Sequence, residues 1–132
     1  MADIAFKRVF FDTSSDPVRA EFHWWEELDD LEPTTFSVWV KSRADVDRNA
    51  LLATECIPGG RPVSFVLDLA SARRLDCGAV LETAPGRLIV EFPRSVLADY
   101  GPDISWWGLA SVGESDADTY VDPDSSHRNL SA

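Results

Sequence analysis

Val18-Arg-Ala-Glu-Phe-His-Trp24 alternates apolar and polar side chains without a break. On a strand, successive side chains point to opposite faces, so Val18, Ala20, Phe22 and Trp24 share one face. Arg19, Glu21, His23 and Trp25 share the other. A helix would scatter the same residues around its axis, so period two reads as a half-buried strand. Thr35 to Lys41 repeats the pattern, with Phe36, Val38 and Val40 opposite Ser37, Trp39 and Lys41. Val63, Phe65, Leu67 and Leu69 share a face of a third strand, and Leu88, Val90 and Phe92 of a fourth. Ile104 to Val112 makes a fifth. The opening segment Ile4–Phe11 is β-rich but changes phase between Phe6 and Val9, which predicts a bulge.

Turn residues punctuate these runs. Ser14-Ser-Asp-Pro17 separates the first two strands, and Pro58-Gly-Gly-Arg-Pro62 precedes the third apolar one. Ala84-Pro-Gly-Arg87 between Ala79–Thr83 and Arg87–Phe92 predicts a hairpin. Helical signal is confined to one turn over Ser95–Tyr100, with Ser95 as cap and Gly101 as stop, and a short helix within Asp45–Thr54. About 7–9 short strands with such turns predict an all-β, two-sheet antiparallel sandwich of the jelly-roll kind. A small closed β-barrel would show the same pattern. The sandwich is expected to occupy residues 1–113. Residues 114–132, rich in Asp and Ser, read as an acidic extended tail pinned by Tyr120 and Val121.

A chain of 132 residues that is 45% hydrophobic and contains five Trp can bury a core and is no disordered polymer. Its formal charge of −11 repels phosphate backbones and anionic lipid, which argues against nucleic acid and membrane surfaces as partners. No apolar run has the length of a membrane span. Met1 to Lys7 lacks a charged region followed by an apolar one, so no secretion signal is read there. Residence inside a cell or in a virion fits, and so does export if a leader was removed ahead of Met1. Cys56 and Cys77 are too few for a structural zinc site. They could close a disulfide worth about 3 kcal/mol, or stay as two buried thiols.

Asp3-Ile-Ala-Phe-Lys-Arg-Val9, Val18-Arg-Ala-Glu-Phe22 and Phe36-Ser-Val-Trp-Val40 occur in that order. Gly86-Arg-Leu-Ile-Val-Glu-Phe-Pro-Arg-Ser-Val-Leu97, Trp106–Val112 and Asp122-Pro-Asp124 follow. Together they resemble the β-sandwich domains related to the DOMON and family-9 carbohydrate-binding modules. The resemblance implies a sandwich fold, and such domains are often exported. The Asp-rich loop of that family is replaced here by Lys41-Ser-Arg-Ala-Asp-Val-Asp47, so no ligand residue is carried over.

For catalysis the inventory is thin: two histidines, no nucleophile elbow and no glycine-rich phosphate loop. His23 beside Glu21 reads as a surface residue. The run Glu26–Glu32 and the series Glu114, Asp116, Asp118, Asp122 and Asp124 offer oxygen ligands to calcium, but neither has the EF-hand spacing. Their plain reading is a solvated loop and tail.

Tryptophan placement carries more. In the pairs Trp24-Trp25 and Trp106-Trp107, one indole of each must face inward and the other outward. Phase assigns Trp24 and Trp106 to the core, and Trp25, Trp39 and Trp107 to the outside. Exposed indoles form an apolar patch that calls for a partner, either carbohydrate or a protein surface. The expectation is therefore a non-catalytic recognition module. A structural or accessory assembly protein, such as a virion or cell-surface component, and a small barrel enzyme acting on an apolar metabolite, are the alternatives; an oligomer is compatible with each.

Overall fold

The computed structural model describes residues 5–14, 16–25, 32–45, 47–100, 103–113 and 115–120. Among these residues, two antiparallel sheets carry ten strands. The narrower sheet has the order β1-β2-β8-β7, made by Phe6–Asp12, Val18–Trp24, Arg87–Phe92 and Ala79–Ala84. The wider has the order β10-β9-β3-β4-β5-β6. Its strands are Ser115–Tyr120, Ile104–Val112, Thr34–Ser42, Asn49–Cys56, Val63–Asp68 and Arg73–Asp76. The architecture is a sandwich, not a barrel: β1 and β10 meet at one side of the molecule without joining into a common sheet.

Alternation builds the core as the sequence predicts. Val18, Ala20, Phe22 and Trp24 of β2 face Phe36, Val38 and Val40 of β3, and all are buried. Phe36 is the centre of an aromatic stack, with Trp24 at 4.4 Å and Phe22 at 5.6 Å between ring centroids. Offset rings at these spacings add to the area they bury. The shift in β1 is present, as a register break between Phe6 and Arg8. Pro85-Gly86 closes the β7–β8 hairpin, where Gly86 takes the positive φ of +77° that its turn position requires.

Four expectations are corrected. Asn49–Cys56 is a strand, not part of a helix: it lies between β3 and β5, and two ladders outweigh the helical preference of Ala and Leu. The turn after Pro93 is a 3-10 turn over Arg94–Leu97 with no side-chain cap, so Ser95 does not cap it. Gly101 lies outside the described residues. Ten strands replace the 7–9 expected, because β4, β6 and β10 carry weak or misleading patterns. The segment placed in the tail begins as β10, paired with β9 from Ser115↔Val112 to Tyr120↔Gly108. An edge strand with one face in water tolerates Ser and Asp, and Tyr120 anchors it by packing against Phe6.

The six-stranded sheet is wider than its cover. Phe6 and Phe11 of β1 reach Tyr120 of β10 and Trp106 of β9, and β2 lies over β3. At the other side, Gly78 lies against Ser64 and Phe92, and all four residues of β6 are exposed.

Candidate functional site

The outer faces of the two sheets differ in chemistry. On the four-stranded sheet, the register sets Asp12 beside Arg19 and Arg19 beside Glu91, with Phe10 beside Glu21 in the next row. Arg19 bonds Glu91 at 3.2 Å, and Arg87 pairs with Glu82. The Asp12 carboxyl is held below its ordinary pKa, mainly by the Ser14 hydroxyl and then by the Ser14 amide. His23 Nε2 stands 3.4 Å from Glu21 Oε2, with the His23 ring edge-on to Phe10. This face is a lattice of compensated charges of the kind that water covers.

The outer face of the six-stranded sheet is largely apolar across four strands, β9, β3, β4 and β5. The register aligns Trp107, Trp39, Leu51 and Leu67 in one row, and Leu109, Ser37, Ala53 and Phe65 in the next. Ser37 and Ala53 are small and buried, forming a floor between half-buried large neighbours. The Trp39 and Trp107 rings are 5.1 Å apart and inclined by 43°. Trp39 Nε1 donates to Asn49 Oδ1 at 3.2 Å, so its polar edge is already satisfied. At the β6 margin the Arg74 guanidinium sits 3.9 Å over the Phe65 ring. The band is thus continuous, with charge only at its rim.

The tryptophans divide as the alternation predicts. Trp24 and Trp106 are buried at 2% and 3% exposure, Trp39 and Trp107 are half-buried, and Trp25 is 68% exposed. The structure brings Trp39 and Trp107 together but not Trp25, which follows β2 at the end of the other sheet. There Lys7 Nζ lies 4.2 Å over its ring. An open recess of about 560 Å³ runs between Trp25, Lys7, His23 and the Pro85-Gly86 turn.

Leu51, Phe65, Leu67 and Leu109 were not named from the sequence as part of a surface. Alternation showed that Val63, Phe65 and Leu67 share a face, but period two cannot say which face is outside. Val66, out of phase with them, is the β5 residue that reaches the core. Leu51 lay within the segment read as helix. Leu109 was legible in principle, two residues beyond Trp107 on the same face.

The remaining candidates do not converge. Asp118 Oδ2 accepts the Phe6 amide at 2.8 Å, tying β10 to β1, and Asp116 accepts the Ser111 hydroxyl at 3.3 Å. Asp122 and Asp124 lie outside the described residues. Among the described residues no group of three His, Cys, Asp or Glu is arranged to hold a metal. Cys56 and Cys77 are free thiols, not a disulfide. Cys56 ends β4 and Cys77 follows β6, with β5 between them. Two strand spacings amount to ~10 Å, beyond the ~7 Å limit for a bridge. Burial, with the Glu55 charge nearby, pushes the Cys56 thiol up to about 11. Cys77 is raised in the same way, by burial and then by Asp76. These are packing thiols rather than nucleophiles. No helix among the described residues is long and apolar enough to cross a membrane.

Comparison of the chain with protein-family models, with curated proteins and with solved structures returns no match.

Proposed function

We propose that this domain is a non-catalytic recognition module that binds a protein surface through the outer face of its six-stranded sheet. The observation that carries this reading is the continuous apolar band formed by Trp107, Trp39, Leu51, Leu67, Phe65 and Leu109. A band of this extent on a sheet whose other face already holds the core has no structural duty of its own. Aromatic residues set among aliphatic ones, with charge at the rim, match the composition of protein interfaces.

The chemistry favours protein over carbohydrate. A sugar platform wants coplanar rings with free hydrogen-bonding groups around them. Here the indoles are inclined, the neighbours are leucines, and the Trp39 N–H is engaged by Asn49. An enzyme acting on an apolar metabolite inside the sandwich is disfavoured because Trp24, Phe22, Phe36 and Phe92 fill that interior.

The test is affinity capture from the source organism's lysate with the native chain and with Leu51→Asp and Trp107→Ala variants, followed by titration of each purified partner. The expected result is a partner retained by the native chain and lost by both variants, with circular dichroism showing that both variants are still folded at the capture temperature. Retention unchanged by both variants would overturn this reading. Binding of an oligosaccharide, lost in Trp107→Ala, would replace it with the carbohydrate one.

A further inference from the structure

The free margin of the six-stranded sheet is complementary to itself. β6, Arg73-Arg-Leu-Asp76, pairs on one side with β5, and its other edge has no strand partner among the described residues. All four of its residues are exposed, and Leu75 stands at 59%. Leu75 is paired with the inward-facing Val66, so it projects toward the core side. The narrower sheet does not extend over it. Arg74 Nε donates to Asp76 Oδ1 of the same strand at 2.8 Å, both groups being exposed.

We propose that a second copy of this chain adds to this edge, β6 against β6, about a two-fold axis through Leu75. In an antiparallel pair, residues directly opposite project to the same side. Centring on Leu75 sets that leucine against the Leu75 of the second copy. It also sets Arg74 opposite the second copy's Asp76, and Asp76 opposite its Arg74. The arrangement exchanges the exposed ion pair within each of the two strands for two across the junction, where the pairing backbone shields them from water. It buries an exposed leucine against its mate and gives partners to the open backbone groups. Charged residues ordinarily guard an edge against pairing. Here the signs run Arg-Leu-Asp, and reversal of direction turns the guard into a match. Arg74 and Asp76 also cancel locally, so the junction avoids the repulsion that a net charge of −11 imposes elsewhere. The outcome is a twelve-stranded sheet in which the two apolar outer bands face the same side, although the pairing does not depend on what those bands bind.

Sedimentation equilibrium of the full chain across a concentration series tests the proposal. The expected result is a reversible monomer–dimer equilibrium. Arg74→Asp and Asp76→Arg should each raise the dissociation constant at least about ten-fold, because each places like charges opposite one another twice. Combining the two changes restores the complementary order and should return the native constant, while Trp39→Ala should leave it unchanged. A native chain that stays monomeric at every concentration would overturn the proposal. So would a dimer indifferent to both charge reversals, a combined variant that fails to recover, or a dimer abolished by Trp39→Ala, which would place the contact on the apolar face instead. Because β6 is exposed throughout, unchanged circular dichroism in these variants is the expected control.

Discussion

Trp24 stacks on Phe36 with its indole wholly enclosed, and its Nε1 finds no acceptor among the described residues. Trp24→Ala removes that stack and should cost about 3–5 kcal/mol in chemical denaturation. Trp24→Phe keeps a ring on Phe36 and discards an unpaired N–H, so it should cost much less. Trp39→Ala and Trp107→Ala lose a cross-strand ring pair and some half-buried area, and Trp39→Ala also the hydrogen bond to Asn49, so about 1–2 kcal/mol is expected. If either matched Trp24→Ala, these two residues would belong to the fold rather than to a binding face. The inward or outward sense of all five indoles was legible in the sequence, because adjacent residues on a strand must part company. What lay out of reach was the pairing of Trp39 with Trp107, since register between β3 and β9 is decided across a distance that local patterning does not span.

Among the elements, the strands read from alternation are those that bury one face, and those missed bury little or are apolar on both faces. β4 carries Ala50 and Leu52 inward and Leu51 and Ala53 outward, so its composition declares no period of two. β6 and β10 are margins, where the backbone ladder alone defines the strand. One close approach between the sheets is made at a glycine. A Cβ on Gly108 of β9 would lie 2.8 Å from Val9 Cγ2 of β1. Gly108→Ala should therefore destabilise by about 1–3 kcal/mol through overpacking. Adding Val9→Ala should recover part of that loss, so that the double variant is more stable than the sum of the singles allows. Strict additivity in the melting data would mean that the sheets can separate freely at this point.

For the molecule as a whole, two solution variables follow from its charges. A net charge of −11 makes the compact state repel itself, so added salt should raise the melting temperature through screening. High pH acts in the other direction. The Cys56 thiol ionises near 9.0 when unfolded and at about 11 when folded. Protons therefore leave the unfolded chain first, and the stability present below pH 9 should be lost progressively between about 9 and 11. Cys77 and Tyr100 are raised too and add to the same trend. Cys56→Ala should flatten the part due to this thiol in denaturation curves taken across that window. That the chain makes a two-sheet sandwich was legible from its alternation and turns. Which face of β5 meets water was not, because Val63, Phe65 and Leu67 on one side and Val66 on the other are all apolar.

The centres of both sheets are closed by partners distant in sequence: β2 by β8, with Val18 opposite Phe92, and β3 by β9, with Thr34 opposite Val112. During synthesis this has a direct consequence. The β1–β2 hairpin and the β3–β6 meander can emerge from the ribosome early, but each then holds an apolar side open until the last third of the chain arrives. Non-local pairing of this kind also slows the search once the chain is complete. The nascent domain must therefore spend much of its translation with Phe22, Trp24, Phe36 and Val38 accessible to chaperones and to neighbouring nascent chains.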